Sequence, residues 1–162
     1  MIVLGLDPGT ATTGYGVIEV TGTSMRHIAH GAILTPANTP LPDRLLSIAQ
    51  QLRQIIAQYQ PDRVGIEELF FYKNVTTAIA VAQARGVLVQ VSAEAQLPVG
   101  GYTPLEVKQA VTSFGRADKQ QIQKMVMLVL GLTAVPKPDD AADGLAIAIT
   151  CAQATKLETI LS

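Results

Sequence analysis

Four carboxylates stand where a folded chain rarely places acids without a purpose. Asp7 closes the apolar run "IVLGLD", and Glu67 lies in "VGIEEL", again after apolar residues. Asp140 and Asp143 lie in "KPDDAADGLAIAI". Residues three apart share one face of a helix, so these two point the same way. Strands disfavour acids, and burying an unpaired carboxylate is costly, so Asp7 and Glu67 call for a cation. The chain has one Cys and two His, too few for a soft-ligand cluster. An all-oxygen donor set suits a hard cation, Mg²⁺ or Mn²⁺. Two such ions roughly 4 Å apart would activate water and stabilise the leaving oxygen of a phosphodiester. Asp7, Glu67, Asp140 and Asp143 are therefore the expected catalytic groups and metal ligands. Local readings compete for single members. Asp139 or Asp140 suits an N-cap, and Asp143 suits a favourable first-turn charge.

These acids need elements to carry them. Ile2–Asp7 reads as a buried strand, with "GYGVIEV" and "HIAHGAIL" as antiparallel neighbours. Leu45, Ala49, Leu52, Ile56 and Tyr59 recur at helical spacing before Pro61. "RVGIEEL" is a short strand, Val75–Ala95 a helix, and "QLPVGGY" one more strand. Thr103, Pro104 and Glu106 make a capping box that opens a helix. "SFGRAD" is a loop, and "KQQIQKMVMLVLGL" is a helix closed near Gly131. A last helix runs from about Asp139 to Leu157, where Gly144, Ala146 and Ala148 let it press closely on the sheet. The order predicts an α/β fold: a mixed five-stranded sheet with helices on both faces. The helix from Val75 is apolar almost all round, so it must be buried on every side, within one subunit or in a homodimer.

Totals narrow the function. A chain of 162 residues with 48% hydrophobic and 15% charged residues reads as one ordered domain spanning 1–162. No apolar run suits a membrane span, no signal-peptide pattern opens the chain, and a lone Cys151 fits a reducing cytoplasm. An acid at a strand tip before a Pro-Gly turn also suits nucleotide binding between two lobes, but this length hardly makes two lobes. There is no G-x-x-x-x-G-K-[ST], and "GYGVIE" lacks the third glycine of a dinucleotide fingerprint. A single-domain metal-dependent nuclease remains.

Net charge is −1, yet basic residues outnumber acids six to three between Lys73 and Lys124. "LFFYKN" gathers Phe70, Phe71, Tyr72 and Lys73 just beyond Glu67, a lip where an aromatic could stack on an unpaired base and Lys73 meet a phosphate. Lys108, Arg116 and Lys119 surround the "SFGRAD" loop and suit backbone contacts. Arg85 interrupts the apolar helix, either to pair with an acid or to reach DNA. His27 and His30 fall on opposite faces of a regular strand and make poor joint ligands.

Taken together, "GLDPGTATTGYGV", "IEELFFYKN", "AQARGV", "VKQAVTSFGRADKQQIQKMV" and "DDAADGLAIAI" resemble the RuvC family of bacterial Holliday junction resolvases. The blocks lie in the same order over nearly the whole chain. The resemblance implies a ribonuclease H-like fold and a homodimer that nicks two strands symmetrically at a four-way DNA junction, leaving ligatable 5′-phosphate ends. It implies the catalytic and metal-binding role of Asp7, Glu67, Asp140 and Asp143, a base contact by Phe70, and DNA contacts by Lys108 and Lys119. A branch-migration motor complex is the implied partner. Two alternatives share features of this reading: a ribonuclease H acting on RNA–DNA hybrids, and a non-catalytic junction-binding protein.

Overall fold

The computed structural model describes residues 1–69 and 75–161. Strands β1 (Ile2–Asp7), β2 (Thr12–Thr21) and β3 (Ser24–Leu34) open the chain, followed by helix α1 (Leu41–Tyr59) and strand β4 (Arg63–Glu67). Helix α2 (Val75–Glu94), strand β5 (Val99–Tyr102), and helices α3 (Pro104–Thr112), α4 (Lys119–Val129) and α5 (Asp139–Leu161) complete it. The sheet order is β3-β2-β1-β4-β5. β1, β2 and β3 are antiparallel neighbours, whereas β1, β4 and β5 run parallel. This is the mixed five-stranded sheet expected from the order of elements, in the ribonuclease H-like arrangement that the resemblance implies. The parallel strands are reached through helical crossovers, as parallel pairing requires.

Strand alternation sends successive residues to opposite faces. Leu4, Leu6, Val17 and Ile66 pack with Ile48, Leu52 and Leu88 of α1 and α2. Val3 and Ile18 pack on the other face with Val107, Val126 and Leu145 of α3, α4 and α5. The predicted stripe on α1 is right in phase, but its deepest residues include Ile48 and Ile55, while Leu45, Ile56 and Tyr59 are only partly buried. Gln60, in the left-handed region at φ 46°, ends that helix one residue before Pro61.

The expected capping box is present, and a second one opens α4. Thr103 Oγ1 accepts from the Glu106 amide at 3.1 Å, while Glu106 accepts from the Thr103 amide at 2.7 Å. Asp118 and Gln121 repeat the arrangement at the start of α4, at 2.9 and 2.8 Å. Such local pairings satisfy amide donors that a helix start leaves open.

One expectation changes, and one of the two alternatives for α2 closes. The histidines do not lie on opposite faces. Val17 pairs with Ala29 but Ile18 pairs with His27, so Ile28 is the extra residue of a bulge. The bulge shifts the alternation by one, and His27 Nε2 comes 2.7 Å from His30 Nδ1. Helix α2, in turn, is not buried on every side within this chain. Ala78, Ala84, Leu88 and Val91 face inward, whereas Ile79 is 57% exposed and Ala82, Gly86 and Ala93 lie exposed with it.

Candidate active site

The site begins with strand register. β1 and β4 pair in parallel through Leu6 and Ile66, so the next residue on each strand is an acid, Asp7 beside Glu67. Both share the strand face of Gly5 and Gly65, the face that receives α5. The same alternation that buries Leu4 and Leu6 on the opposite side therefore aims both carboxylates at α5.

Glycine lets α5 reach them. A Cβ on Gly5 would stand 2.1 Å from the Gly144 carbonyl oxygen and 2.3 Å from the Ala148 nitrogen. One on Gly16 would stand 2.5 Å from the Leu145 nitrogen. Backbone lies on backbone, and the first turns of α5 drop to the level of the strand tips. Asp140 and Asp143 then meet Asp7: one oxygen from each of the three lies within 4.8 Å of the others. Glu67 borders the same cleft, of about 240 Å³, with Asp7, Asp143, Lys108, Asp118 and Lys119. The four expected acids thus resolve into a tight group of three with Glu67 at its side.

Neither N-cap reading holds. The Ala141 amide donates to the Pro138 carbonyl, so Asp139 and Asp140 already belong to the first turn. Asp139 turns outward to Lys137 Nζ at 2.8 Å. Asp140 and Asp143 face the cluster instead.

Confinement of like charges shows in their proton affinities. Burial, then the charges of Glu67, Asp143 and Asp140, push the Asp7 carboxyl up to about 8. Burial and Asp143 push Glu67 up to about 7, against the nearby Lys108 ammonium. Asp143 is also raised, chiefly by burial, although Lys119 Nζ donates to it at 3.2 Å. Burial alone would lower Lys119, but its bond to Asp143 and the surrounding acids carry it upward. The four acids outnumber the two lysines, Lys108 and Lys119, that share the cleft. Its donors, all carboxylate oxygens, fit a hard divalent cation.

A pH dependence follows. The folded chain keeps a proton on Asp7 up to about 8, whereas an ordinary aspartate releases it near 3.8. Between those values folding takes up protons, so stability falls as pH rises. The metal-free protein should melt at a lower temperature at about pH 8.5 than at about pH 5.5. Saturating Mn²⁺ should narrow that gap, because a ligand bound to the folded state stabilises it. Differential scanning fluorimetry at both pH values checks this. A melting temperature that rises with pH in chelator would contradict the assigned shifts.

Comparison with known proteins decides the family. The family model described as crossover junction endodeoxyribonuclease RuvC matches residues 3–151. The chain belongs to the RuvC family. A Heliobacterium modesticaldum crossover junction endodeoxyribonuclease RuvC is 55% identical over 152 residues, 94% of this chain and 94% of the relative. One from Desulfitobacterium hafniense is 54% identical over 157 residues, covering 97% and 95%. A structure of Thermus thermophilus RuvC in complex with Holliday junction substrate matches with TM-score 0.93 at 35% identity, covering 98% and 97%. The match includes every block of the resemblance, and Asp7, Glu67, Asp140 and Asp143 all fall within it.

The other expected contacts separate. Lys108 and Lys119 line the acidic cleft. Arg116 is exposed on the loop between α3 and α4. Arg85 reaches no acid side chain in the described contacts; its Nε donates to the backbone carbonyl of Glu67 at 3.0 Å. Phe70, Phe71, Tyr72 and Lys73 lie outside the described residues. What sequence reading passes over is Gly14 as a partner of Asp140: a Cβ there would meet the Asp140 carbonyl oxygen at 1.8 Å. The clue was its place opposite Asp7, which pairing confirms.

Proposed function

We propose that the protein is a structure-specific endodeoxyribonuclease that resolves Holliday junctions in recombination and repair, acting as a single nuclease domain. The observation that carries this reading is the convergence of Asp7, Asp140 and Asp143, with Glu67 beside them, in a chain of the RuvC family. Asp7, Glu67, Asp140 and Asp143 would hold Mg²⁺ or Mn²⁺, two ions to a site. When bound, such ions supply an activated water and charge stabilisation for the leaving oxygen. The protein's own part is positional. Asp7 and Glu67 are carried on paired strands, and Asp140 and Asp143 on one helix turn, so the donor set is held by the sheet core. Without a cation the acids repel a phosphate, which makes cleavage dependent on metal. Lys108 and Lys119, on the cleft wall, offset the backbone charge of the entering strand.

The reading extends to a homodimer whose contact includes the exposed apolar face of α2, giving two sites for symmetric nicks and ligatable 5′-phosphate ends. Phe70, with Phe71 and Tyr72, would stack on bases near the junction centre, while Lys73 and Arg116 are assigned DNA contacts by sequence. A cytoplasmic site of action and a branch-migration motor partner complete the proposal. No helix among the described residues is long and apolar enough to cross a membrane.

Labelled four-way junction, plain duplex and RNA–DNA hybrid, each incubated with Mg²⁺ or with chelator, test it. Cleavage of the junction alone, only with Mg²⁺, is expected. Preferred cutting of the hybrid would transfer the protein to ribonuclease H chemistry, and binding without cutting would make it a junction-binding protein.

The lysines give a separate expectation. Lys108→Ala with Lys119→Ala should weaken junction binding and lower its salt slope by up to about two, one released counterion for each lost phosphate contact. Fluorescence anisotropy across a salt series measures the slope. An unchanged slope would return both side chains to a solvated surface.

A further inference from the structure

Arg85 is a cation on a mostly apolar helix, and its observed hydrogen bond goes to a backbone atom. That atom is the carbonyl of Glu67, the last residue of β4. On the other side of the same peptide, the Glu68 amide donates to the Tyr102 carbonyl of β5 at 2.8 Å. The peptide between Glu67 and Glu68 is therefore gripped twice, by β5 through its N–H and by α2 through its C=O. Pairing of β4 with β1 stops one residue earlier, at Leu6 and Ile66. Without Arg85, the β1 side of that peptide would lack the ladder bond that holds the rest of the strand.

The plane of this peptide sets ψ of Glu67, one of the two soft backbone angles that aim its side chain. We infer that Arg85 is a positioning residue for Glu67, clamping the 67–68 peptide from α2 so that the Glu67 carboxylate faces the acid cluster. The inference rests on the proposed reading of Glu67 as a metal ligand. It assigns the arginine a task distinct from a DNA contact. Arg85 also borders a cleft with Glu68, Leu69 and Ala82, which places it against the segment that leaves β4.

The test uses the full chain with four variants: R85A, R85K, E67A and E67A with R85A. Mn²⁺ binding is measured by calorimetry, and junction affinity by anisotropy in chelator across a salt series. R85A is expected to weaken Mn²⁺ binding about 10- to 100-fold, the usual effect of removing a group that orients a ligand. Junction affinity in chelator and its salt slope should stay unchanged. E67A should weaken Mn²⁺ binding by itself, and adding R85A to it should cost nothing further, because the clamp has nothing left to aim. R85K keeps the charge and loses the Nε donor; it should weaken Mn²⁺ binding in the same direction, and it stands in if R85A does not fold. Unchanged Mn²⁺ affinity in both Arg85 variants, or an equal loss with and without Glu67, would overturn the inference. So would a reduced salt slope, which would make Arg85 a phosphate contact. If E67A leaves Mn²⁺ affinity intact, the ligand reading falls and the clamp with it; if E67A weakens binding and R85A does not, the clamp alone falls.

Discussion

Asp7→Asn should lower junction cleavage by about 1000-fold or more while leaving junction affinity in chelator within about twofold. A bound cation contributes several kcal/mol of transition-state charge stabilisation, and about 1.4 kcal/mol is tenfold in rate. Asp7 is the member of the cluster on which the charges of the other three acids all act, and it would be the central ligand of a bound cation. Asparagine keeps the shape and removes the charge. The same substitution should raise the melting temperature of the metal-free protein near pH 8, where a buried carboxylate otherwise has to ionise among its neighbours. The two effects have opposite signs: activity falls as metal-free stability rises. Single-turnover cleavage, anisotropy and thermal melting on one preparation measure all three quantities. Loss of binding together with cleavage would make Asp7 a structural residue.

Gly14→Ala is expected to damage both stability and activity through one added methyl. Its Cβ would fall 1.8 Å from the Asp140 carbonyl oxygen and 2.4 Å from the carbonyl carbon. These are backbone atoms of a helix, with no flexible side-chain end to swing aside. Either β2 or the start of α5 must shift. Overpacking of this kind costs about 1–3 kcal/mol or more, and a misplacement of about 1 Å at a catalytic centre can cost about 100-fold in rate. Thermal melting and single-turnover cleavage should both fall, with Mn²⁺ affinity reduced as Asp140 and Asp143 draw away from Asp7. Wild-type melting with wild-type cleavage would show that α5 does not sit on the strand as described.

How much of this was readable in advance depends on the range of each interaction. Asp7 and Glu67 were legible because an acid at the end of an apolar strand conflicts with its own surroundings. Asp140 and Asp143 were legible because helical spacing is local. The Thr103–Glu106 box was equally local, and the structure retains it. Gly14 and Gly16 stood out as glycines, but their reason did not, since the atoms they make room for belong to the last helix. The histidines were misplaced because one extra residue in β3 inverts the alternation, and a bulge depends on the register with β2. Arg85 left two readings open because its partner is a carbonyl, and every residue has one. The α2 face stayed ambiguous for a related reason: an all-round apolar pattern does not say which side the chain itself covers.

The central claim is that the acid cluster is a metal-dependent centre for symmetric junction resolution. A supercoiled plasmid that extrudes a cruciform tests it most directly, because two symmetric nicks linearise the circle whereas one only relaxes it. Wild-type protein with Mg²⁺ should yield linear plasmid whose termini a ligase can seal. Neither chelator nor Asp7→Asn should yield it, and a plasmid lacking the inverted repeat should stay intact. Linear product that persists in Asp7→Asn, or equal cutting of the plasmid without a cruciform, would contradict the account.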